Sequence, residues 1–443
     1  MPNNGAHAMV RKSRRRLRRG WSALAGQDAN RGANVWAMRW ALERLSRLMI
    51  VIATVLSCGL PLPLAQAASD QAAFMELLEA GQRRQFEAYM SARTFHDFEL
   101  DKFWRECSDL RALRKRKKAA NEELTRNDYV RSFPPEYKGP QLSTELAKAW
   151  AAFQAKDETA KEPPRPLPTV ADFLAAAKEH YAFEPERIPE REFKLRYARE
   201  ALALGLTKEQ VVRVYALETG GQGTADMQAG INPITKKGSA ISSALGYAQL
   251  LHANSVNEIA KHGPIFVERL RRLSIQPGPD RGRRTALARK LTSLRAMVRA
   301  AKSVPLAWEK HQDFAKTPRG YGIHALNLDG DIGPWLQVIK LQGIMQEAQK
   351  AGRSTLRPVE MELMNLAGPG TGLEMMLPAG LGVPTVNFFA RGGYERNTIV
   401  RGKTSAELLA ALDSRMDDNE KKPGAVEFAA VFDELKAKQA AGR

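Results

Sequence analysis

The stretch T-K-E-Q-V-V-R-V-Y-A-L-E-T-G-G-Q-G-T, Thr207 to Thr224, decides the reading of this chain. Thr207 and Gln210 form a T-x-x-Q capping pattern, and Gly220-Gly221 stop the helix just past Glu218. The spacing therefore predicts about three helical turns over Lys208 to Glu218. At about 100° per residue, Val211, Val214, Tyr215 and Glu218 share one apolar arc, whereas Lys208, Glu209, Gln210 and Arg213 mostly fall elsewhere. Glu218 is expected to point inward, at the mouth of a glycine-rich loop. A carboxylate held against apolar side chains has its charged form disfavoured, which raises its pKa toward the range a general acid needs. Helix geometry alone leaves an equal alternative, a glutamate turned to solvent or paired with a lysine.

Other words follow in order. Glu218-Thr219 is followed by Asn232-Pro233 and then by Ser243-Ala244-Leu245-Gly246-Tyr247-Ala248-Gln249-Leu250. Asp331-Ile332 with Trp335-Leu336, and Met364-Asn365-Leu366-Ala367-Gly368-Pro369-Gly370, come further on. Together these resemble the ordered signature of soluble-lytic-transglycosylase domains, E-S-x-x-N-P, G-A-x-G-L-M-Q-L, N-I-x-x-G-x-x-Y-L and A-Y-N-A-G-x-G, over under half of the chain. The resemblance implies a mainly α, lysozyme-like catalytic domain and a periplasmic enzyme that cuts the bond between N-acetylmuramic acid and N-acetylglucosamine. Glu218 would be the lone acid and base, protonating the glycosidic oxygen and then deprotonating the muramyl 6-hydroxyl so that it closes a 1,6-anhydro ring. Ordinary glycosidase logic asks for two carboxylates; substrate assistance is the recognised exception. Thr219, Asn232, Ser243, Tyr247, Gln249, Tyr321, Asn365 and Tyr394 are the candidate substrate-binding residues. Gln249 is placed on the facing wall, with a loop amide satisfying backbone groups as its alternative. No metal or cofactor is expected.

The chain departs from that signature in three places. Gly220 to Ile231 form a longer glycine-rich loop before Asn232-Pro233, so a remodelled cleft entrance is expected. Met364 stands where the family has Tyr, and one extra residue separates Asn365 from Ala367-Gly368. Tyr321, Tyr247 or Tyr394 is then the candidate to hold the acid. Finally, the family's K-S-x-x-G-A reads Gly238 to Ala244 here, leaving open which serine lines the site.

The 443 residues carry a formal net charge of +19. Much of it sits at the start. An arginine-rich segment, Arg11 to Arg19, then Arg39, Arg44 and Arg47, precede an uncharged apolar run from Leu48 to Leu64 and Ala65-Gln66-Ala67. This is the pattern of a secretory signal, with Pro61 and Pro63 against a lasting membrane helix. Residues 1–67 are accordingly read as basic extension and signal, with a mature start near Ala68 in the periplasm. If the signal stays uncleaved, the chain is anchored at the inner membrane. An exported protein meets the carboxylates of peptidoglycan or lipid headgroups, so the basic excess does not imply nucleic acid. The run Arg114 to Lys118 reads as a solvated helix face. Of two cysteines only Cys107 lies beyond the signal, so no internal disulfide is expected.

Residues 68–168 are expected to form a helical N-terminal domain ending in the proline-rich linker K-E-P-P-R-P-L-P, Lys161 to Pro168. Residues 169–400 are the lysozyme-like region, with two helices split by Pro185 and Pro189, an insert over about 276–315 holding a basic helix, and a long apolar helix from Ile332 to Ala351. Residues 401–443 give two charged helices broken at Pro423, read as a surface element or partner-binding tail. No H-E-x-x-H, C-x-x-C pair, G-x-S-x-G or P-loop pattern occurs, which removes the commonest metallopeptidase, esterase and nucleotide-hydrolase readings. Asn327, Asp329 and Asp331 imitate a calcium loop, but its glycine and twelfth ligand are out of place, so a helix cap is expected. Two alternatives to the transglycosylase stand: a non-catalytic peptidoglycan-binding scaffold, and a lysozyme using water, for which Asp226 is the nearby second carboxylate. The partners expected are glycan strands and a secretion, conjugation or division machine.

Overall fold

In a computed structural model, residues 62–158 and 166–441 are described, and the statements below concern these. Most of the expected export signal and the start of the proline-rich linker lie outside them. The protein is mainly α, with isolated bridges and no strand among the described residues. No helix there is long and apolar enough to cross a membrane.

The helices in chain order are α1 (Leu62–Glu76), α2 (Ala80–Ala119), α3 (Thr144–Glu158), α4 (Val170–Tyr181), α5 (Glu190–Ala203), α6 (Lys208–Thr219), α7 (His252–Ile275), α8 (Arg281–Lys302) and α9 (Trp308–Ala315). They continue with α10 (Pro318–His324), α11 (Ile332–Lys350), α12 (Pro358–Ala367), α13 (Pro369–Met375), α14 (Pro378–Leu381), α15 (Arg391–Arg396), α16 (Ser405–Asn419) and α17 (Pro423–Ala441).

Two compact units emerge. The smaller, described over 62–86 and 142–158, is held by a cluster of Phe74, Phe86, Trp150 and Phe153 with ring centroids 4.9–5.9 Å apart. The larger takes in 87–141 and everything described from 166 onward. Residues 87–141, expected in a separate N-terminal domain, thus belong with the larger unit, and the reason is a buried polar seam. Arg114, 1% exposed, donates to Glu374 Oε1 at 2.7 Å and to the Asn387 carbonyl at 2.6 Å. Asn387 in turn pairs with both backbone groups of Val130, at 2.8 and 2.9 Å. Lys117 bonds Asp128 and Lys118 bonds Glu374, so three members of the basic run are structural rather than a solvated face. Burial pushes the Cys107 thiol up to about 11, which keeps it unreactive.

Helix α6 forms as its sequence dictates. Thr207 Oγ1 accepts from Gln210 N at 3.2 Å, Gln210 Oε1 accepts from Thr207 N at 3.0 Å, and Gly220 closes the helix at φ +63°. Val211, Val214 and Tyr215 are buried, and the Tyr215 ring meets Tyr247 at 4.8 Å and Phe428 at 5.3 Å. The last contact corrects one expectation. Helices α16 and α17 are not a tail: Leu408, Leu412, Phe428 and Phe432 are buried, and Arg213 binds Asp413, Asp417 and Glu420 at 2.6–2.9 Å. Gly221 completes the joint. Its carbonyl accepts from Ala425 N at 3.0 Å, and a Cβ there would meet the Asn419 carbonyl oxygen at 2.1 Å.

Helix α11 packs against α5, α7 and α12 within the same core, with Leu336, Val338 and Leu341 fully buried. Asp329 Oδ1 accepts from the backbone of Asp331 and Ile332, each at 3.0 Å, and so caps its start as the sequence implied. The basic helix α8 supplies the countercharge: Lys290 lies 2.8 Å from Asp329 and 2.5 Å from Asp331, and Arg283 2.8 Å from Asp331.

Candidate active site

Glu218 stands on the last turn of α6, facing α12. Asn365 donates from Nδ2 to Glu218 Oε1 at 2.6 Å. Two words of sequence 147 residues apart are thereby joined in one hydrogen bond. Burial raises the Glu218 pKa, while the Lys340 ammonium and the bonds from Glu362 and Asn365 pull the other way.

Glu362 and Lys340 were not foreseen. Glu362 lies one turn before Asn365 on α12 and is 2% exposed. Its carboxyl hydrogen-bonds Glu218, and Asn365 Nδ2 lies 3.3 Å from its Oε2. Burial and the Glu218 charge drive its pKa well above the ordinary value. Two carboxyl groups so placed titrate as a pair that retains one proton. Lys340, on α11, is the pair's cation. Burial lowers its pKa, opposed by Glu218, Glu362 and Glu258. Both residues left a signal in the sequence. Glu362 precedes Asn365 by three, the spacing of one helix face, and Lys340 is the single charge between Ile332 and Gln346 of α11.

Glu218 opens into a cleft of about 800 Å³. Glu218, Gln249, Lys340, Met364, Asn365 and Gly368 line it on one side, and Asn254, Asn257, Glu258, Lys261 and His262 of α7 on another. Gln249 sits at φ +40° and donates from Nε2 to the Gly246 carbonyl at 2.7 Å, so its amide both faces the cleft and holds its own turn.

The structure brings Glu218, Gln249 and Asn365 together and places the other candidates elsewhere. Thr219 donates back to the Tyr215 carbonyl at 2.7 Å. Exposed Asn232 caps a turn through Ile234 N and Thr235 N, both at 2.9 Å. Ser243 Oγ is 2.7 Å from His252 Nδ1. Its carbonyl accepts from Nε2 of buried His324, whose pKa falls to about 3 and which is therefore neutral. Tyr247 is a core ring whose hydroxyl bonds Glu190. Tyr321 packs on Phe173, with centroids 5.7 Å apart. Tyr394 is buried against Trp104, its hydroxyl accepting from Gly402 N at 2.8 Å. None of the three tyrosines takes the place expected beside the acid. Asn365 bonds Glu218 instead, with Glu362 and the Lys340 charge acting on it, and Met364, the neighbour of Asn365, is buried.

Asp226 is likewise committed elsewhere, 2.9 Å from Arg187 and 3.2 Å from Lys236, with its pKa held down by these cations and by Thr224. The inserted loop is stitched down beside it. Ala225 N donates to Glu190 at 3.0 Å, and Gln228 bonds the backbone of Pro168, Val170 and Ser242. Compared with family models, curated proteins and solved structures, the chain matches none.

Proposed function

We propose that the Glu218 cleft cuts a β-1,4-linked N-acetylated glycan, and that the protein is a lysozyme-like peptidoglycan lytic transglycosylase. The Glu218–Asn365 hydrogen bond carries this reading, because it joins two of the sequence blocks that resemble that family at the edge of an open cleft. A carboxyl whose charged form is disfavoured by burial is a competent acid near neutral pH. In the first step Glu218 gives its proton to the glycosidic oxygen as the bond to C1 breaks. In the second the carboxylate takes the proton of the muramyl 6-hydroxyl while that oxygen bonds C1, and the acid is restored. The proton that Glu218 gives up is the one it shares with Glu362, and the nearby Lys340 offsets part of the charge left on the pair. Glu362 is buried and bonded to the acid itself, so it is not placed to act across the sugar as a nucleophile. The N-terminal pattern supports export to the periplasm, where glycan strands are the partner.

One observation favours a second reading. Glu258 lines the same cleft from α7 and lies close enough to Lys340 to affect its charge. It is a better candidate than Asp226 to activate water, as a hydrolytic lysozyme requires. Glu218→Gln tests the acid in either case. The amide fits the same space and cannot shuttle a proton, so release of soluble fragments from purified sacculi should fall about a hundredfold or more. Wild-type turnover by that variant would remove Glu218 from the chemistry.

A further inference from the structure

One wall of the cleft is not accounted for by any of the motifs. Trp308 is the first residue of α9, inside the expected insert, and lines the same cleft as Glu218 and Gln249. It is 43% exposed, and its indole has no ring partner and no hydrogen bond among the described residues. Exposure alone is unremarkable for an aromatic side chain, but this indole lies on the wall of the cleft that holds Glu218 and Gln249, where it is placed to meet whatever the cleft binds.

The element beneath it is fixed. One turn on, His311 is fully buried, and burial lowers its pKa, so the ring is neutral. Its Nδ1 accepts from Asn257 Nδ2 of α7 at 2.8 Å. Residues three apart share a helix face, so the contact that docks α9 on α7 also directs Trp308 to the cleft. Asn254 and Asn257 add amides to that wall. A flat apolar face bordered by amides suits a pyranose ring, whose C–H face is apolar and whose rim carries hydroxyl and acetamido groups.

We propose that Trp308 is a stacking platform for an N-acetylated sugar ring, and that the segment around 276–315 lengthens the glycan cleft. This rests on the glycan reading of the Glu218 site. The test uses the full chain carrying Glu218→Gln, so that binding is measured without turnover. Titration with hexa-N-acetylchitohexaose by calorimetry and tryptophan fluorescence should show saturable binding. Adding Trp308→Ala should weaken it about tenfold and abolish most of the fluorescence change, while Trp308→Tyr keeps most of the affinity. In the otherwise wild-type chain, Trp308→Ala should raise the half-saturating amount of sacculi and leave the maximal rate nearly unchanged. Equal affinity with and without the indole overturns the proposal while leaving Glu218 as the acid. Absence of hexasaccharide binding overturns it as well. If wild-type protein leaves sacculi intact, the glycan-cleavage reading falls, and the titration still decides whether Trp308 holds a sugar.

Discussion

Glu362→Gln is expected to move the alkaline limb of the activity profile to lower pH. Asn365 Nδ2 is 2.6 Å from Glu218 and 3.3 Å from Glu362. One nitrogen at those distances holds the two carboxylates within about 6 Å, where an effective dielectric constant near 20 gives a repulsion of about 3 kcal/mol, equivalent to about two pH units. This repulsion makes the pair cling to its shared proton as pH rises. In the amide variant no like charge opposes ionisation of Glu218, while Lys340 and Asn365 still favour it, so the proton leaves at lower pH. Screening by solvent in the open cleft leaves a displacement of about one unit or more. Initial rates of muropeptide release between pH 4 and 9 read the limb directly. A second readout separates charge from packing. Because the folded-state pKa of Glu362 is raised, its ionisation costs stability as pH climbs above the unfolded value near 4.5. The variant should therefore compare better with wild type in thermal melts at pH 8 than at pH 4. A limb that stays in place, or moves upward, refutes the shared-proton account.

Lys290→Met leaves Asp329 and Asp331 without their shared buried cation, and breaking such a pair typically costs about 3–5 kcal/mol, to be read as a lower urea midpoint. Lys290, with Arg283 and Arg196, holds Asp331 below its ordinary pKa, so the stability these pairings confer is present above about pH 4 and lost as pH falls further, a trend the variant should blunt. Asp226→Asn should leave the product pattern and rate unchanged, because that carboxylate is spent on Arg187 and Lys236; a change in the ends released would return it to the chemistry.

The helices and the place of Glu218 at the end of one of them were legible because their signals are local. The Thr207/Gln210 cap, the glycine stop and the arc through Val211, Val214 and Tyr215 fix α6 without reference to anything distant, and the proline breaks delimit α4 and α5 in the same way. What escaped was long-range. Charge along α16 and α17 suggested a free surface, yet those charges pair with Arg213 while Phe428 and Phe432 fill the core behind α6. The basic run near Lys117 looked solvated because Glu374, its partner, lies about 260 residues on. Tyr247 and Tyr394 sit in sequence contexts fit for a cleft, but each hydroxyl is taken by Glu190 or Gly402 and each ring by the core. Glu362 and Lys340 lacked any motif word. Their importance comes from three helices converging on Glu218, which only the folded chain expresses.

The most direct measurement is mass spectrometry of the fragments released from purified sacculi by wild-type protein and by Glu218→Gln. The account predicts 1,6-anhydromuramyl ends from the wild type and essentially none from the variant. Reducing ends would mean hydrolysis with water and favour Glu258 as the second carboxylate. No release from the wild type, or equal release from both proteins, would contradict the assignment of Glu218 as the acid of a lytic transglycosylase.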